Sequence, residues 1–175
     1  METFIDAPGP HGLLKGTMLG PASKHAPVVL IIPGSGPTDR DGNSPLGINA
    51  STYRLLAEGL AARNITTVRI DKRGLFASAA AAADPDAVTI ADYVTDIDAW
   101  VNVIRQHTGA PGVWLLGHSE GGSWHWRLTR RARMFVACCW SLLLAGALES
   151  FYANSLVPIP PTRRSSVRRC LPSTP

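Results

Sequence analysis

The sequence predicts an α/β fold, a mainly parallel sheet with helices on both faces. Three observations carry that expectation. Val28–Ile32, Ile65–Ile70 and Val113–Leu116 are almost continuously apolar or β-branched, as strands buried on both faces are. Between them lie Tyr53–Arg63 and Asp92–His107, whose apolar residues recur at helical spacing. Strand, helix, strand, helix, strand at these lengths is a βαβ series, and its crossovers make the strands parallel.

Ahead of the series, Thr3–Ala7 and Leu13–Leu19 flank a Pro-Gly-Pro-His-Gly turn and read as a β-hairpin. Val28–Ile32 stops at Pro33-Gly34. In Tyr53–Arg63 the stripe is Leu55, Leu56, Ala57 and Leu60, and Thr52 stands where a cap belongs. Ile65–Ile70 runs into Asp71-Lys72-Arg73-Gly74, and Ala77–Ala83 is alanine-rich, either loop or short helix. Asp92–His107 carries Val94, Ile97, Trp100, Val101 and Ile104 on one face, with Thr89 and Asp92 spaced as a capping box. Gly109-Ala110-Pro111-Gly112 ends that helix before Val113–Leu116. Trp100 and Trp114 read as core, and His11, His25 and His107 as surface.

Directly after the last strand stands Gly117-His118-Ser119-Glu120-Gly121-Gly122, a G-x-S-x-G pattern in the strand-to-helix position that a nucleophile elbow requires. A sharp turn there projects the serine hydroxyl above the sheet. Glycines on either side let other backbone approach without a clashing Cβ. The Glu120 N–H, at the start of the next helix, would face a developing oxyanion. A second donor should come from the loop after the first parallel strand, Pro33-Gly34-Ser35-Gly36-Pro37, with the main chain of Ser35 as candidate. That loop can also be a plain turn. It lacks the G-x-x-x-x-G-K pattern and the third glycine of G-x-G-x-x-G, so a phosphate cradle is not expected. Asp39-Arg40-Asp41-Gly42-Asn43 has its glycine too early for a calcium loop and no closing glutamate. No metal or cofactor is expected. His118 reads as packed against the neighbouring loop rather than as a base.

Three motifs in order, Pro33–Asn43, Asp71–Gly74 and Gly117–Gly122, resemble those of bacterial α/β-hydrolases of the esterase and serine-aminopeptidase-like group. The resemblance covers Met1–Gly122, the N-terminal half of that fold. It implies a Ser-Asp-His triad and hydrolysis of a carboxylic ester or related acyl bond on a small-molecule substrate. Ser119 would be the nucleophile, and Ser35 and Glu120 would line the oxyanion hole. Asp71 and Arg73 look like loop-building residues beside the site.

The remainder departs from that pattern. Up to Gly122 there are 9 Lys and Arg against 12 Asp and Glu; after it there are 8 Arg against Glu149 alone, with all three cysteines. In this fold the acid and base follow the nucleophile in the order Ser, Asp or Glu, His. After Ser119 the acids are Glu120 and Glu149 and the only histidine is His125, so that order is missing. The sheet's further strands have no clear counterpart. Leu156–Pro175 holds prolines and arginine pairs without a period, as disordered segments do. An out-of-frame tail is the other reading. Joining each codon's third base to the next codon's first two turns Trp124-His125 into Ala, His125-Trp126 into Leu and Met134-Phe135 into Val. Cys138-Cys139 and Cys139-Trp140 both become Leu. The shifted frame thus supplies a small apolar helix after the elbow and a strand beyond it. The expected organisation is a partial hydrolase domain over Met1–Gly122 and an out-of-frame or disordered tail over Ser123–Pro175, inactive as written.

Two other classes stay open. One is a binding module that keeps the elbow as scaffold and adds a basic tail. The other is a membrane-associated protein held through the apolar Met134–Leu148, although that stretch is shorter than the roughly 20 residues a spanning helix needs. Met1–Pro10 contains Glu2 and Asp6 and no apolar run, so a cytoplasmic enzyme without a secretory signal is expected. Nucleic acid is not an expected partner, and the oligomeric state is not legible.

Overall fold

A hairpin opens the sheet: β1 (Glu2–Pro8) pairs antiparallel with β2 (Leu13–Leu19), from Glu2 opposite Leu19 to Pro8 opposite Leu13. The computed structural model describes residues 1–21, 26–123 and 134–139, all within one unit, Met1–Leu144. β3 (Val28–Ile32) and β4 (Thr66–Ile70) are buried at every position, which is why their sequences show no alternation. β5 spans Val113–His118, two residues longer than its apolar run, and carries the chain directly into the elbow. The strand order is β1-β2-β4-β3-β5-β6, antiparallel through β2–β4 and parallel thereafter.

β6 (Met134–Cys139) corrects the sequence reading, which found no strand beyond β5. It pairs parallel with β5, Val113 opposite Met134 and His118 opposite Cys139. The residues as written, Met-Phe-Val-Ala-Cys-Cys, form an unbroken apolar run at the last position of the described sheet. These six residues also begin the stretch considered as a membrane anchor. Among the described residues no helix is long and apolar enough to cross a membrane.

α1 (Thr52–Ala61) and α2 (Ile90–Thr108) make the crossovers. Alternation along β4 separates the faces: Val68 and Ile70 join the cluster built on Ile97, Trp100, Val101 and Ile104 of α2, whereas Thr67 and Arg69 point the other way. The capping box of α2 forms as its spacing predicts, with the Thr89 hydroxyl accepting from Asp92 N–H and the Asp92 carboxylate accepting from Thr89 N–H. Gly109, at φ 71°, closes the helix in the left-handed region.

α1 starts differently from expectation. Thr52 is its first helical residue and Ser51 its cap, at φ 48° and without a side-chain capping bond. The Ser51 hydroxyl donates to Asn43 Oδ1 instead, and the Asp41 carbonyl accepts from the N–H groups of Tyr53 and Arg54. The Asp39–Asn43 loop thus caps the helix from outside; its own turn is held by Asp39 Oδ1, which accepts from Asp41 N–H at 2.9 Å and Asn43 N–H at 2.8 Å. Tyr53, Ala57 and Leu60 form the buried stripe, while Leu55 is 56% exposed. The alanine-rich stretch is a 3₁₀ turn, Phe76–Ala81.

Candidate active site

The topology singles out one place in the sheet. From the carboxyl end of β3 the chain leaves toward β4 on one side; from the end of β5 it leaves toward β6 on the other. In open α/β sheets ligands bind where connections diverge in this way. The two segments meeting there are Pro33–Pro37 and the elbow.

β5 ends at His118 and α3 (Glu120–Ser123) begins at Glu120, leaving Ser119 alone in the turn at φ 52°. For a residue with a Cβ this left-handed conformation costs on the order of 1–3 kcal/mol, so the surrounding packing must enforce it. Two glycines supply that packing. A Cβ on Gly121 would lie 2.5 Å from the Pro33 carbonyl oxygen and 2.9 Å from that of Ile32. A Cβ on Gly34 would lie 3.0 Å from His118 Nδ1 and 3.3 Å from Ser119 Cβ. The loop after β3 and the elbow are therefore in direct backbone contact, with Ser119 exposed above them.

Two side chains fix the loop from below. Lys72, buried at the end of β4, donates to the carbonyl oxygens of Gly34 at 2.6 Å and Gly36 at 2.9 Å. Burial lowers the pKa of its ammonium, and the negative charge of Glu120 opposes that shift. The ammonium also lies 5.8 Å from the centre of the Tyr93 ring. On the other side, the Tyr53 hydroxyl accepts from Gly34 N–H at 3.4 Å and is bonded to His118 Nδ1 at 2.9 Å. Desolvation raises the Tyr53 pKa, which keeps it a neutral phenol able to make both contacts. Gly34 N–H is thereby engaged, whereas among the described residues nothing accepts from Ser35 N–H.

The flanking residues of the Asp71–Gly74 motif turn away from the serine. Asp71 accepts from Arg40 Nε at 3.0 Å, Arg40 N–H at 2.8 Å and Ala77 N–H at 3.2 Å. Arg73 reaches Asp96 at 2.5 Å and Asp92 at 3.0 Å, tying β4 to α2. The Asp96 hydrogen bond holds the Arg73 pKa up, and desolvation raises that of Asp96. Arg69 is buried between Glu2 and Asp41 and pairs with both. A cleft of about 560 Å³ opens beside these ion pairs, lined by Thr17, Arg40, Asp41, Arg54 and Asp71 but not by Ser35 or Ser119.

Ser119 and Glu120 lie in the elbow, and the loop that carries Ser35 meets it through the contacts at Gly34 and Gly121. His118 packs on the neighbouring loop through Tyr53 Oη, and His11 and His107 are exposed. His125 and Glu149 lie outside the described residues. Among the described residues no group of three His, Cys, Asp or Glu side chains is placed to hold a metal ion. Tyr53 and Lys72 are the residues that sequence reasoning missed. A lysine at the carboxyl end of a buried parallel strand was the available signal for the second.

The chain matches the family described as serine aminopeptidase, S33, over residues 46–158. That span includes Asp71–Gly74 and the elbow, leaves Pro33–Asn43 outside, and extends past Gly122, where the motif resemblance stopped. No curated protein matches the chain. Among solved structures, it is similar to the α/β-hydrolase GrgF from Penicillium sp. sh18, with a TM-score of 0.62 and 13% identity over 88% of this chain and 55% of that one. It is similar to XC6422 from Xanthomonas campestris, described as an α/β serine hydrolase without a lid, with a TM-score of 0.53 and 22% identity over 73% and 55%. The proline iminopeptidase-related protein TTHA1809 from Thermus thermophilus gives a TM-score of 0.52 and 21% identity over 75% and 41%. The chain spans about half the length of these structures, and at such identities the likeness shows the fold.

Proposed function

From the premise that the chain belongs to the serine aminopeptidase S33 family of α/β-hydrolases, we propose that it is a serine hydrolase of carboxylic esters or related acyl bonds, with Ser119 as nucleophile. The observation that carries this reading is the left-handed φ of Ser119 between β5 and α3, held by glycine contacts against the loop after β3. A strained serine exposed at a topological switch point is costly to keep unless its hydroxyl is used.

In the proposed reaction Ser119 Oγ attacks the acyl carbon and its proton passes to a general base. The carbonyl electron pair moves onto oxygen, where the N–H groups of Ser35 and Glu120 receive the oxyanion. Collapse expels the alcohol, which takes the proton from the base, and leaves an acyl-enzyme. Water attacks that ester, the carboxylic acid departs and Ser119 is regenerated.

The base and its carboxylate are the parts the described residues do not supply. We place them downstream in the reading frame one base removed from that of Ser123–Pro175. The coding DNA tests this: an open shifted frame encoding a later Asp and then a His supports it, and early stop codons contradict it. The 175-residue chain is accordingly expected to turn over short p-nitrophenyl esters no faster than Ser119→Ala, because loss of triad members costs on the order of 10⁴-fold or more. A chain continued from Gly122 in the shifted frame should hydrolyse them, and Ser119→Ala should abolish that turnover with folding intact. Turnover that survives the substitution contradicts the assignment and favours a non-catalytic use of the elbow.

A further inference from the structure

Gly34 and Ser35 share a peptide unit, so what binds the Gly34 carbonyl acts on the Ser35 N–H. At that carbonyl sits a cation: Lys72 Nζ donates to it at 2.6 Å from a buried position, and to Gly36 O at 2.9 Å. Hydrogen bonds from charged donors are roughly twice as strong as neutral ones, and a chain of them polarises each member further. Electron density drawn toward Gly34 O leaves the Ser35 N–H more positive. Tyr53 Oη accepts from the N–H of Gly34, which belongs to the preceding peptide unit, so the two units joined at Gly34 Cα are each held by a side chain.

We propose that Lys72 is a positioning residue of the oxyanion hole, orienting the Gly34–Ser35 peptide and strengthening Ser35 N–H as a donor to the acyl oxygen. The proposal rests on the serine-hydrolase reading for its use, but the coupling itself is a property of the folded chain. Three features favour electrostatic work over mere packing. The bond to Gly34 O is short, Lys72 is shielded from water that would screen its charge, and the second contact, to Gly36 O, bridges the left-handed turn at Gly36 (φ 74°). Among the described residues Glu120 and the Tyr93 ring also face the ammonium, and both favour its charged form.

The test is nuclear magnetic resonance on the full 175-residue chain. Lys72→Met should move the Gly34 carbonyl ¹³C and the Ser35 amide ¹H and ¹⁵N resonances toward values of a weaker hydrogen bond, with the Gly34 N–H and His118 resonances unchanged. Lys72→Arg, which keeps a cation, should restore much of the shift. Should Lys72→Met fail to fold, the wild-type chain supplies the same measurement: raising the pH until Lys72 loses its proton should move the Gly34 carbonyl in step with the Lys72 side-chain signal. In a chain continued in the shifted frame, Lys72→Met should lower kcat on the order of tenfold with KM little changed, a fraction of the loss seen when an oxyanion donor is removed outright. An unmoved Ser35 amide or Gly34 carbonyl overturns the role of Lys72 and leaves Ser119 untouched. Turnover that survives Ser119→Ala overturns the hydrolase reading and leaves the measured coupling standing.

Discussion

Ser119 is held in a conformation that its own Cβ opposes, and that opposition is measurable without any substrate. Ser119→Ala and Ser119→Gly both lose the hydroxyl, but only glycine removes the left-handed penalty. Ser119→Gly should therefore be about 1 kcal/mol more stable than Ser119→Ala in urea unfolding. Equal stabilities would mean the turn is relaxed. Gly121 makes the complementary case: its missing Cβ is a distance of 2.5 Å from the Pro33 carbonyl, so Gly121→Ala should cost about 1–3 kcal/mol by forcing two backbones apart. Ser119 was legible in the sequence because its signal is local, glycine and serine positions directly after an apolar run. Lys72 and Tyr53 were not, because the atoms they bind lie 38 and 19 residues away and no local pattern encodes such a contact. Lys72 also sets a pH dependence. Burial lowers its folded pKa, so between that value and the ordinary lysine range the unfolded chain holds this proton more often than the folded one. Stability in that window rises with pH. The wild type should gain stability relative to Lys72→Met as pH is raised toward the ordinary lysine range, as read from urea midpoints; a gain in the opposite direction contradicts the burial cost.

At the scale of elements, helices were legible where their own residues terminate them. α2 announces its start through Thr89 and Asp92, and the bonds form as spaced. Thr89→Ala should accordingly destabilise by about 1 kcal/mol, seen as a lower thermal midpoint and faster amide exchange in the first turn; protection equal to wild type would show the cap to be idle. α1 was misread by one residue because its cap comes from the Asp41 carbonyl, a non-local partner, and Ser51 spends its hydroxyl on Asn43. Its stripe was misassigned for a related reason: Tyr53 is drawn inward by Gly34 and His118 and Leu55 is left exposed. β6 was missed as a strand because Met134–Leu148 reads as one longer apolar stretch, with no turn signal after Cys139 to mark a strand end.

At the scale of the molecule, strand order does what no single motif can. The βαβ pattern predicts parallel strands but not which are neighbours; the order β1-β2-β4-β3-β5-β6 is what brings the ends of β3 and β5 together. Ion pairs then fasten the segments around that junction. Asp71 anchors the Asp39–Asn43 loop through Arg40, and Asp71→Ala should cost about 3 kcal/mol because it strands a largely buried guanidinium. The fold and the sharp turn at Ser119 were thus largely readable, while the written sequence after Ser119 holds no Asp-then-His order from which the remaining partners could be read. The measurement that bears most directly on the central claim is peptide mapping by mass spectrometry after treating the chain continued in the shifted frame with a serine-directed phosphonate. A single phosphonyl adduct on Ser119, absent from Ser119→Ala, is the expected result. An adduct on another residue, or labelling undiminished in the alanine variant, would contradict it.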